Sequence, residues 1–126
     1  MKKLFSIVML LLLMGITFAS CTSPTSSAEL NTNSLDISVV NSQLKIHNNS
    51  DRTAYLFVVE RGYAAAINWA IHFGEPNISA NGVKYIDLSK IASGQNNVKP
   101  GDEVIVYFWD DTNKSNTEVF NKIVKL

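Results

Sequence analysis

Lys99-Pro100-Gly101-Asp102-Glu103-Val104-Ile105-Val106-Tyr107-Phe108-Trp109 (KPGDEVIVYFW) holds the clearest structural signal in the chain. Proline followed by glycine marks a tight turn, because proline presets one backbone angle and glycine accepts the next. The seven residues that follow are almost all β-branched or aromatic, which predicts a strand over Glu103 to Trp109. Successive side chains of a strand point to opposite faces, so one of Phe108 and Trp109 is expected to face a core and the other to face outward.

The same reading extends in both directions. Downstream, Asp110 to Thr117 (DDTNKSNT) is a polar loop before a last strand, Glu118 to Leu126. Upstream, Leu35 to Val39 and Leu44 to His47 alternate apolar and polar residues on either side of an Asn41-Ser42 turn, as half-buried strands do. Asn48 to Asp51 reads as a turn. Tyr55 to Glu60 (YLFVVE) is apolar on both parities, expected of a strand covered on both faces or of one with an exposed aromatic. Gly74 to Asn77 is a turn, Val83 to Leu88 a strand, and Asp87 to Ala92 closes with a helical turn. Ala64 to Ile71 (AAAINWAI) fits a helical turn by its alanines and a strand by the period of Ile67, Trp69 and Ile71; the strand is preferred. About seven short strands without βαβ alternation predict an all-β fold, an antiparallel immunoglobulin-like β-sandwich. The cysteine pair of antibody domains is missing, so that likeness is one of architecture.

The chain divides into three parts. Residues 1–20 carry Lys2 and Lys3, an apolar run and small residues, the layout of a secretory leader and shorter than a spanning helix needs. Phe18-Ala19-Ser20-Cys21 resembles the bacterial lipobox, in which the cysteine receives a diacylglycerol and becomes the new N-terminus. Phe18 stands where leucine is usual, and cleavage near Ala19 with release of a soluble protein is the alternative. Cys21 is the one cysteine of the sequence, so the domain forms no internal disulfide and has no thiolate pair for a metal. Residues 21–33 then form a lipidated cysteine and a flexible, hydroxyl-rich tether, and residues 34–126 the β-sandwich domain. Loss of Lys2 and Lys3 with the leader shifts a balanced charge to about −2. No Lys/Arg cluster is present to neutralise phosphates, so nucleic acid is not an expected partner.

"NNSDRTAYLFVVERG", "INWA", "VKYIDLSKI" and "VKPGDEVIVYFWD" together resemble a group of small secreted bacterial lipoproteins with an immunoglobulin-like domain and no assigned activity. The resemblance covers most of the domain, and its motifs are structural in kind. In that group cysteines often follow the Trp-Ala pair; here Ile71 and His72 stand instead, so a disulfide there is lost.

Signatures of catalysis are weak. His47 and His72 lack the spacing of a zinc site, and Asp110 to Asn113 lacks the spacing of a calcium loop. Glu60 with Asp110 or Asp111 would be a carboxylate pair only if the fold brought them together. No Gly-x-Ser-x-Gly element is present. No catalytic residue, metal or cofactor is therefore expected. Asn48, Asn77 and Asn113 begin Asn-x-Ser patterns that read as surface turns rather than glycosylation sites. Arg61, Tyr63 and Trp69 form the candidate partner-binding set, since cations and aromatics on a loop are enriched in interface hot spots. Trp69 is also readable as the core tryptophan of the sandwich, and Arg61 as a cap on a strand end. The expected function is a lipid-anchored envelope protein, held to the membrane through Cys21 and facing periplasm or exterior, that binds a protein or glycan without catalysis. The alternatives are an inhibitor of an envelope protease, with Gly62 to Ala66 as bait, and a purely structural envelope component.

Overall fold

The computed structural model describes residues 29–126. The leader, Cys21 and the tether through Ala28 lie outside the described residues. Seven strands follow one another: β1 (Leu35–Val40), β2 (Gln43–Asn48), β3 (Ala54–Glu60), β4 (Asn77–Ile78), β5 (Val83–Asp87), β6 (Glu103–Trp109) and β7 (Phe120–Lys125). They make two antiparallel sheets, ordered β1-β2-β5 and β4-β3-β6-β7. Residues of both sheets share one core, so the fold is a β-sandwich.

Local chemistry sets the turns. Val40 pairs with Gln43, which leaves Asn41 and Ser42 as a two-residue hairpin loop, both at positive φ (49° and 61°) as a type I′ turn requires. At the head of β6, Asp102 N donates to Lys99 O at 3.0 Å and Gly101 takes φ 96°, the backbone a Pro-Gly turn calls for. A 3-10 turn at Leu88–Lys90 follows β5 and buries Leu88.

Period two sorts the faces. In β3 and β6 the even positions Leu56, Val58, Val104, Val106 and Phe108 enter the core, against Leu44 and Ile46 of β2. The odd positions Tyr55, Phe57, Tyr107 and Trp109 lie on the outer face of the four-stranded sheet. Both Phe108 and Trp109 are nonetheless buried, because that outer face has a cover of its own. The double-sided apolar character of YLFVVE has the same cause.

Three expectations change. Ala64 to Ile71 is not a strand: residues 61–76 turn tightly and then run across the outer face of the sheet, where no strand edge is available to pair with. Asn48 is no surface turn: it ends β2 fully buried, and Asn77 begins β4. The core also takes in Leu30, upstream of the Ser34 boundary.

Candidate functional site

The segment 61–76 joins β3 to β4, and each end is anchored. At its start, the Glu60 carboxylate accepts hydrogen bonds from Gly62 N (2.9 Å) and Tyr63 N (2.8 Å), and the Glu60 carbonyl accepts from Ala64 N. Ala66 N then donates to Tyr63 O, so residues 61–66 form successive tight turns. At its end, Leu56 N donates to Pro76 O across the β3 edge.

Between these anchors lies an aromatic cluster. The Trp69 ring stacks on Phe57 (4.9 Å between centroids, 16° between planes) and on Trp109 (5.6 Å, 20°), and packs at 4.9 Å from Tyr107. Phe57 and Tyr107 are cross-strand partners, so Trp69 closes over the seam of the two central strands. His72 meets Trp109 edge-on at 5.2 Å, and Trp109 Nε1 donates to His72 O at 2.8 Å. Gly74 N donates to His72 Nδ1, which leaves Nε2 to carry the proton donated to Leu56 O at 3.0 Å. Phe73 packs edge-on against Tyr55 at 5.5 Å, and Lys114 Nζ sits 4.9 Å over the Phe73 ring. Burial and then the Asp111 carboxylate, which accepts the Tyr55 hydroxyl at 3.3 Å, hold the Tyr55 phenol above its ordinary value of 10.0.

The three predicted residues occupy one segment but not one spot. Arg61 lies at the strand end and pairs with Glu103 (2.9 Å), both side chains about half exposed; such a pair contributes little to stability, at most about 1 kcal/mol. Tyr63 is half-buried, with its ring 3.9 Å from where a side chain on Gly94 would begin. Trp69 lies over Phe57, three residues back from Glu60 and so about 10 Å along the strand. It is therefore not the core tryptophan of the sandwich; its place is the outer face. The sequence reading missed His72 and Phe73 as its companions, since a lone histidine followed by phenylalanine carries no motif.

Outward, the segment presents exposed Ala65, Ala66, Asn68, Ala70 and Ile71, the last 41 % exposed. The arrangement is an exposed segment held in place from beneath. Glu60 and Asp110 sit at opposite ends of the paired β3 and β6, about 20 Å apart along the strands, too far for a carboxylate pair. Among the described residues no group of three or more His, Cys, Asp or Glu side chains is arranged to hold a metal ion, and no helix is long and apolar enough to cross a membrane.

Two concave regions lie elsewhere on the described surface. One, about 300 Å³, lies where the described chain begins, between Glu29, Arg52, Asp110, Asn113, Glu118 and Phe120. The other, about 470 Å³, opens between β5 and β3. The chain matches no protein-family model, and comparison with curated proteins and with solved structures returns no significant match.

Proposed function

We propose that this chain is a lipid-anchored envelope protein, of the small secreted lipoprotein type its sequence resembles, whose sandwich binds a protein or glycan partner without catalysis through residues 61–71. The observation that carries this reading is the clamped segment itself. Sixteen residues without helix or strand are long for a connection in a small domain, and such loops are usually functional. This one is fixed by Trp69, His72 and Phe73, so ordering it on binding costs little conformational entropy. Its outer side carries Arg61, paired with Glu103, at one end and small apolar residues with Ile71 farther along.

The strand order supports the immunoglobulin-like reading. In chain order it is that of a constant-type domain with the fourth strand moved to the edge of the second sheet. The protease-inhibitor alternative gains nothing from the geometry, since Gly62 to Ala66 is coiled in turns rather than extended.

A photo-crosslinking residue placed at Arg61 or Ile71 of the full chain, expressed in its host, tests the proposal. Adducts are expected there and not from the same residue at Thr112. Arg61→Ala and Tyr63→Ala are each expected to weaken capture of the crosslinked partner by about 1 kcal/mol or more, with the melting curve unchanged. Equal adducts at all three positions, or capture indifferent to the double substitution, would remove residues 61–71 from consideration.

A further inference from the structure

We propose that the outer edge of β5 and the cleft beside it form a second binding site, which takes an extended peptide bearing an acidic residue by strand addition. The site is separate from residues 61–71 and does not depend on the reading given to them.

Hydrogen-bond parity defines the edge. Asn48 N donates to Gly82 O at 2.9 Å and Leu88 N to Ser42 O at 3.1 Å, so the even positions Gly82 to Leu88 turn their backbone groups toward β2. The alternation of an antiparallel pair then turns the N–H and C=O groups of Val83, Tyr85 and Asp87 away from the sheet. β5 is the last strand of its sheet, and among the described residues no backbone bond reaches these groups.

Edges are ordinarily blunted by proline, bulges or charges. β5 has one such device, the inward Lys84, and Glu75 neutralises it at 2.8 Å. The side chains beside the open edge are instead Val83 and Tyr85, 48 % and 52 % exposed.

The neighbouring sheet leaves room. β4 covers β3 only at Ala54 and Tyr55, Pro76 O takes Leu56 N, and Ala92 next meets β3 at Val59 and Glu60. The cleft of about 470 Å³ fills the interval, walled by Phe57, Val58, Pro76, Ile86 and Ala92. A strand added to β5 would send every second side chain into this cleft and the others over Tyr85. Charge selects the occupant. Lys90 lies on the cleft wall, exposed and bonded to no other described group, and the Asp87 carboxylate on the same wall is held back on β2 by the Gln43 amide, Nε2 donating at 2.7 Å. An acidic residue in the peptide answers Lys90.

The test is selection of phage-displayed random dodecapeptides on the full chain purified in detergent, followed by synthesis of the selected peptides. Enriched peptides are expected to alternate apolar residues around an aspartate or glutamate. N-methylation of the alternate peptide amides that face β5 is expected to weaken binding at least about tenfold, and N-methylation of the other set to leave it unchanged. Lys90→Glu is expected to weaken acidic peptides by about tenfold. Tyr85→Pro removes an outward N–H without touching the bonds to β2 and is expected to abolish binding. If that variant does not fold, the two N-methyl registers on the native chain still decide. No enrichment, equal affinity of both registers, or indifference to Lys90→Glu overturns the proposal. A concentration-dependent dimer that competes with the peptides assigns the edge to a second copy and overturns it as well.

Discussion

Asn48 shows how much one side chain holds here. Fully buried at the end of β2, it donates through Nδ2 to the carbonyls of Arg52 (2.7 Å), Ile78 (3.2 Å) and Ser79 (3.2 Å), and its Oδ1 accepts from Ser50 N and Ser50 Oγ. It thereby ties the turn before β3 to β4 in the opposite sheet. Asn48→Ala strands these groups away from water and is expected to cost about 2–4 kcal/mol in denaturant unfolding, a large part of a small domain's stability. A loss below half a kilocalorie would show the hub to be dispensable. Tyr55 gives a test in pH. Its phenol titrates above 10.0 in the folded chain, so the folded state holds this proton more tightly than the unfolded one. The corresponding stability is present in full below the unfolded value of about 10 and is lost as pH rises past it. Tyr55→Phe is therefore expected to flatten the fall in melting temperature on the alkaline side of that value. An unchanged alkaline slope would assign the fall to other groups.

Elements behave according to what covers them. The outer face of the four-stranded sheet is apolar because residues 61–76 lie on it, and Trp69 is the contact shared by Phe57, Tyr107 and Trp109. Trp69→Ala is expected to cost about 2–3 kcal/mol, below a full core deletion because the ring is only partly buried. Amide exchange is expected to rise in 61–76 before it rises in β2 or β6, since the core between the sheets is untouched. Uniform acceleration through all strands would show that the segment and the sandwich unfold as one. The same contrast explains what could be read beforehand. KPGDEVIVYFW carried its own turn and its own strand, and Asn41-Ser42 its hairpin, because those signals are local. The double-sided YLFVVE announced a covered strand without saying what covers it. Ile67, Trp69 and Ile71 kept a strand's period, yet strand formation needs an edge to pair with, and β4 together with the path over the face removed that edge. Of the candidate segment, Arg61, Tyr63 and Trp69 could be picked out by residue type but not placed relative to one another, and the gap between β4 and Ala92 that makes the separate cleft is a property of the assembled sheets.

The ends of the sandwich differ. The described chain begins at Glu29 beside the Asp110–Asn113 loop, while Arg61, Tyr63, Gly94 and the Pro100-Gly101 turn lie at the opposite end, beyond a β3 about 20 Å long. On the proposed reading lipid sits on Cys21, eight residues before Glu29, and a chain of that length reaches at most about 27 Å. The Asp110–Asn113 end is then tethered near the bilayer, and Arg61 and Tyr63 point away from it, toward whatever the protein meets. Two measurements follow. Wild type is expected in the membrane fraction with an acylated N-terminal cysteine by mass spectrometry, and Cys21→Ser in the soluble fraction; an unmodified soluble wild type would defeat the anchor. In liposomes carrying an energy-transfer acceptor on the lipid headgroups, a fluorophore at Ser115 is expected to transfer more efficiently than one at Ser93. A free tumbling domain would equalise the two, whereas the reverse order would turn residues 61–71 toward the lipid and make the membrane itself their first contact.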